Sequence, residues 1–531
     1  MNKKFKSLSA LLFFGILSGL PITGQHHNDR WNTMDVQHYR FELELNDTND
    51  VISGKAEVEI HFKTEVPGFS LDLVNLKPDG GGMKIDRITE NGDEVPFIHE
   101  NNKVQFQVKG IREGAARKFL IEYHGVPADG LIISKNKFGD RTFFGDNWPD
   151  RAHNWLPLVD HPSDKATVEF VVDAPSHYGI VSIGSKTSEI RDEQRITTHW
   201  VMNVPISTKL MVIGVSPFEV EYFESSSGIP ISTWVYPQNR DAGFYDYKVA
   251  ISPMNFFEKY IAPYPYSKLA NVQSKTRYGG MENASCIFYH ERTVTGKRDS
   301  ELLFAHEIAH QWYGDAVSEL DWHHVWISEG FSTYLTDLYI ESEYGRDAFV
   351  ASMLDEKRQV LEFARQRLTP IVDTTLPVSV KLLNKNSYEK AAWVLHMLRH
   401  ELGDELFQHC LRTFYNDFKY DNALTNDFLQ VVEQLSGRDF KVFFQQWFFT
   451  AGHPFLSEAC KYKKGQIRLT IRQKQQQQLF QFPLEVRFEL RNGSFIEQRF
   501  NISQQKETFK IPSSVKPSEI VLDPESWLLF E

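Results

Sequence analysis

The stretch Ala305-His306-Glu307-Ile308-Ala309-His310-Gln311-Trp312 decides how the chain is read, together with Glu329, which follows His310 after eighteen intervening residues. On a helix, residues four apart lie one above the other, so His306 and His310 aim two imidazole nitrogens at one point. That point suits zinc, which in a catalytic site takes three protein ligands and keeps one position open. Glu329 opens a helical run, Gly330 to Tyr344, that can return antiparallel and supply the third ligand. Glu307 projects toward the edge of the same face, where a carboxylate can take a proton from water without ligating the metal. Composition alone places a His-Glu-x-x-His in on the order of 1 in 20 chains of this length. A correctly spaced glutamate removes most of that chance, and the expectation is one Zn2+ per chain held by His306, His310 and Glu329.

Outward from this stretch the periodicity changes twice. Tyr39, Phe41, Leu43 and Leu45 alternate with polar residues, as do Ala56, Val58, Ile60 and Phe62, and then Val104, Phe106 and Val108. A period of two marks half-buried strands. Near Asp241 the spacing becomes helical, and Ala391, Val394, Leu395 and Leu398 form one apolar stripe within a mostly helical region. After Gly452-His453-Pro454 the period returns to two, with Ile467, Leu469 and Ile471 on one run and Leu484, Val486, Phe488 and Leu490 on another. The expected fold is multidomain α+β: an N-terminal β domain at 25–225, a mostly helical zinc-peptidase domain at 226–456 and a small C-terminal β-sandwich at 457–531.

At 531 residues, 41% of them hydrophobic, the chain has material for two to four ordinary cores. A net charge of −12 argues against nucleic acid or anionic membrane as the main partner. Residues 1–24 read as a secretory signal: Lys3, Lys4 and Lys6, an apolar run from Leu8 to Leu20, then Pro21-Ile22-Thr23-Gly24. The expectation is export to periplasm or medium, with no stable membrane insertion once the signal is removed. Three cysteines, Cys286, Cys410 and Cys460, allow at most one bridge, and their apolar neighbours favour buried thiols.

A second stretch, Tyr278-Gly279-Gly280-Met281-Glu282-Asn283, precedes the zinc helix. Adjacent glycines let a peptide backbone approach closely, and the carboxylate beside them can hold a cation. Alone it reads first as a turn. In combination with His306-Glu307-x-x-His310, Glu329 and Tyr388-Glu389-Lys390, it resembles the M1 family of gluzincin aminopeptidases, whose corresponding motif is usually Gly-Ala-Met-Glu-Asn. Pro157-x-x-Asp160-x-Pro162 and Trp447-x-x-x-x-Gly452-x-Pro454 are similar to two further segments of that family.

The resemblance implies a thermolysin-like catalytic domain in a short three-domain form, acting on peptides with a free N-terminus. It implies zinc ligation by His306, His310 and Glu329, with Glu307 as base and proton shuttle and Tyr388 as donor to the oxyanion. The substrate is met by Gly279, Gly280, Met281, Glu282 and Asn283, Glu282 taking the α-amine. Three positions depart from the family: Gly280 for alanine, Asp315 for asparagine and Ala391 for glycine. The family also places a second amine-binding residue in the β domain, where this chain reads Gly145-Asp146-Asn147-Trp148-Pro149-Asp150-Arg151 and Asp146 is the candidate. Two rivals use the same site: a leukotriene-type epoxide hydrolase and a non-catalytic binding scaffold. The intact ligands and base argue against the second, and nothing in the sequence points to the lipid tunnel the first requires. Oligomeric state and the preferred first side chain are not encoded in these motifs.

Overall fold

The computed structural model describes residues 28–378, 380–476 and 478–531, so the expected leader at 1–24 lies outside the described residues. The N-terminal part is β-rich. Its main sheet has eight strands, centred on Lys165–Pro175, Met34–Glu44, Ile52–Phe62 and Ala116–Val126, antiparallel except where Met34–Glu44 runs parallel to Lys165–Pro175. Alternation is the cause: Tyr39, Phe41 and Leu43 are buried while Arg40 and Glu42 are half-exposed. Phe41 sits opposite Ala56 on one side and Phe170 on the other. Smaller four- and three-stranded sheets complete this part.

The middle part is helical but rests on a five-stranded sheet. Its strands are β1 (Glu219–Glu224), β2 (Pro230–Val235), β3 (Leu269–Ser274), β4 (Gly280–Met281) and β5 (Cys286–His290). Their order is β1-β2-β3-β5-β4, which leaves β4 at an edge with one neighbour. The helices that build the site are α1 (Glu301–His310), α2 (Trp326–Tyr344), α3 (Arg346–Gln366) and α4 (Ala391–Leu402), the last preceded by one π-helical turn, Asn386–Lys390. Among the described residues no helix is long and apolar enough to cross a membrane.

The C-terminal part is two three-stranded sheets packed face to face. Ile467, Leu469, Ile471, Leu484, Val486 and Phe488 are buried, and the Phe500 and Phe509 rings, one from each sheet, lie 4.4 Å apart. Trp527 clamps it to α4, stacking on His396 and His400 at 4.5 and 4.6 Å. The three thiols are free; Cys286 and Cys410 are buried and Cys460 is half-buried.

Candidate active site

Helix α1 carries His306 and His310, and the chain then reverses so that α2 brings Glu329 in its first turn. The reversal depends on Gly314, whose φ is +124°; a Cβ there would lie 2.8 Å from His310 Nδ1 and nearer still to Ser328 Oγ. Nε2 of His306 and Nε2 of His310 are 3.0 Å apart, and they lie 3.5 and 3.4 Å from Glu329 Oε2. Tetrahedral bonds of about 2.0–2.1 Å put ligand atoms roughly 3.3–3.4 Å apart, so the triad fits zinc. His310 is oriented from behind: Nδ1 lies 2.9 Å from Ser332 Oγ, 3.1 Å from Ser328 Oγ and 3.3 Å from the Tyr313 carbonyl. With its proton on Nδ1, the Nε2 lone pair is left for the metal.

Burial acts to raise the Glu329 carboxyl, but the His310 and His306 rings outweigh it and hold the group well below the usual range. The neighbouring carboxyl behaves oppositely. Burial pushes Glu307 well above its usual range, with Glu282 and Glu329 adding to it against His310. Glu307 lines the same cavity as the triad, where a carboxyl can exchange a proton with a group held there. Burial likewise raises the Tyr388 phenol, followed by the charges of Glu329 and Glu282, so it remains a donor.

Tyr388 is placed by the π-helical turn, its ring stacked on His306 at a centroid distance of 6.0 Å. The turn and α4 press close to α2 at Gly330, where a Cβ would lie 2.5 Å from that of Ala391. Two small residues are required there, and the alanine at 391 is matched by the glycine at 330.

Glu282 follows directly on the edge strand β4, and one of its carboxylate oxygens has no protein partner although the residue is 3% exposed. Its carbonyl accepts from Gln311 Nε2 at 2.7 Å, which ties it to the end of α1; Gln311 Oε1 accepts from Ser285 N and Tyr264 Oη. Gln311 also donates to Asp315, whose carboxyl burial and Glu282 push well above the usual range.

One cavity of about 270 Å³ gathers Gly279, Gly280, Met281, Glu282, His306, Glu307, His310, Glu329 and Tyr388. Two candidates fall outside its lining. Asn283 is fully buried behind the strand, with its Nδ2 3.4 Å from the Met281 carbonyl. Asp146 is engaged by Arg151 at 2.5 Å and by the backbone N–H of Arg277 at 2.9 Å, so it braces the approach to Gly279-Gly280. Among the described residues, the one that the β-rich part sends into the cavity is Trp148. Sequence reasoning also missed Ser328, Ser332 and Gln311, although the two serines bracket Glu329 at helical spacing. Lys165 is a further such residue: its Nζ donates to the Asp315 and Ala316 carbonyls at 3.1 and 2.8 Å, tying the β-rich part to the loop behind His310.

Residues 35–210 match the family model of the peptidase M1 N-terminal domain, and residues 245–447 match that of the peptidase family M1 domain. The chain belongs to peptidase family M1. Among curated relatives it is 27% identical over 444 residues to Aminopeptidase M1-C of Oryza sativa subsp. japonica, a match covering 80% of this chain and 50% of that one. It is 24% identical over 515 residues to "Probable aminopeptidase 2" of Sulfurisphaera tokodaii, covering 92% and 63%. The chain thus spans half to two thirds of the length of these M1 relatives. In fold it resembles a mutant M1 zinc metallopeptidase from Deinococcus radiodurans, with a TM-score of 0.68 and 21% identity, covering 80% of this chain and 96% of that one.

Proposed function

We propose that the chain is an exported, zinc-dependent aminopeptidase that hydrolyses the N-terminal peptide bond of peptides. The observation that carries this reading is the meeting, in one cavity, of the His306–His310–Glu329 triad with the Glu282 carboxylate, one oxygen of which has no protein partner, at the edge strand. The names of the M1 relatives support it. Export rests on the leader pattern alone.

Bound at the triad, one zinc would polarise the scissile carbonyl and activate water. The remaining work falls to the chain. The free edge of β4 pairs with the substrate backbone, as an added strand would. Glu282 takes the α-ammonium group, which registers the first peptide bond over the triad. Glu307 accepts a proton at its carboxylate and returns it to the leaving amine. The Tyr388 hydroxyl donates to the carbonyl oxygen as that oxygen gains charge.

The test is metal content and turnover in the same preparations. Wild type should bind one zinc, His310→Ala should lose it, and Glu307→Gln should keep it while kcat falls by roughly 10²–10⁴. Loss of zinc from Glu307→Gln, or full zinc in His310→Ala, overturns the assignment.

A further inference from the structure

Given the aminopeptidase reading, we infer that the first side chain of the substrate packs against Trp148, and that the enzyme selects peptides beginning with a large apolar residue, aromatic ones foremost. Beyond its catalytic groups and Gly279-Gly280, the cavity is walled by Trp148, Tyr278, Met281, Leu303 and Leu383. Trp148 is buried, edge-on to Tyr278 at 6.3 Å and to Trp322 at 5.3 Å, so its ring is fixed before substrate arrives. Rings held in this way offer edge-to-face contact to an incoming aromatic side chain, and the Met281 thioether adds a polarizable surface.

Charge points the same way. The lining contributes three carboxylates, Glu282, Glu307 and Glu329, and no Lys or Arg among the described residues. The nearby cations are already committed. Arg151 is bound to Asp146 at 2.5 Å, Arg277 to Asp129 at 2.5 Å, and Lys209 to Glu319 at 2.6 Å. An acidic first side chain would therefore find no lysine or arginine in the lining to pair with. A basic one would be attracted by the carboxylates but would have to lay its charge against the apolar wall. With Asp146 consumed and Trp148 at the cavity, the β-rich part contributes shape here and leaves amine recognition to Glu282.

The experiment measures kcat/KM of the zinc-loaded enzyme on aminoacyl-coumarylamides of Phe, Tyr, Leu, Ala, Arg and Glu. Phe and Tyr should lead Leu, exceed Ala by about 10–10²-fold, and exceed Glu by more than about 10²-fold. Trp148→Ala should cost the Phe substrate about tenfold more than the Ala substrate, chiefly in KM, and Trp148→Phe should retain the order while narrowing it. Arg or Glu leading the wild-type series overturns the inference, as does an equal loss on every substrate in a folded Trp148→Ala, which would mark a structural residue. Should Trp148→Ala fail to fold, the wild-type series and Trp148→Phe decide. If no substrate is cleaved, the aminopeptidase reading itself fails. Calorimetric titration with L-phenylalaninamide and L-alaninamide then reads the pocket directly: tighter binding of the former upholds it and equal binding overturns it.

Discussion

The side chain of Glu307 occupies the space that a methyl group on Gly280 would need. A Cβ on residue 280 would lie 2.5 Å from Glu307 Cγ and nearer still to its carboxylate, so strand β4 and helix α1 touch at a point where any larger residue makes the Glu307 side chain shift. Gly280→Ala should displace the base, lowering kcat by about 10–10²-fold with zinc content unchanged. Turnover at the wild-type rate would show that Glu307 moves aside freely.

The two serines behind His310 hold its ring through Nδ1. Ser328→Ala with Ser332→Ala should weaken zinc binding by about 10–10²-fold in competition with a chelator, leaving the fold intact by circular dichroism. Unchanged affinity would mean that the Tyr313 carbonyl suffices.

Tyr388 stacks on His306 and keeps its proton. Tyr388→Phe preserves the stack and removes the donor, so kcat should fall by about 10²–10³-fold with little change in KM. A fall in KM-dependent binding alone would assign the residue to substrate packing.

What the sequence disclosed followed from which contacts are local. His306 and His310 are one helical turn apart, and Tyr39, Phe41 and Leu43 alternate on a sheet with one covered face, so both patterns are written in neighbouring residues. Strands β3 and β5 are buried on both faces, which erases alternation, and four of the five strands beneath the site, β2 to β5, lie in the stretch that reads as mostly helical, while β1 falls in the expected N-terminal β domain. Trp148 meets Tyr278 across a long stretch of chain, and no spacing rule reports such a contact. Asp146 had the right chemistry for an amine, but Arg151, five residues on, claims its carboxylate.

Asp337, two turns beyond Glu329 on α2, accepts from Ser352 Oγ at 2.8 Å. Burial pushes its carboxyl up to about 7, with Glu389 adding and the hydrogen bonds of Ser352 and Glu356 opposing. An unfolded Asp titrates near about 3.9, so between about pH 4 and 7 the folded chain keeps a proton that the unfolded chain releases. Stability from this group is present in full below about pH 4 and is lost as pH rises through about 7. Asp337→Asn cannot ionise, and its melting temperature relative to wild type should rise by about 2–4 °C between pH 5 and pH 8. A difference that does not vary with pH would contradict the shift.

The central claim is that a free amine, held by Glu282, turns a general zinc hydrolytic site into an exopeptidase. Its most direct measurement is mass spectrometry of one peptide in free and N-acetylated form, incubated with wild type and with Glu282→Ala. Acetylation removes the charge that Glu282 pairs with, so wild type should shorten the free peptide stepwise from its N-terminus and cleave the acetylated one about 10²-fold or more slowly. Glu282→Ala should narrow that gap by losing activity on the free form. Equal cleavage of both forms by wild type, or cuts at internal bonds, would contradict the account even with the zinc site intact.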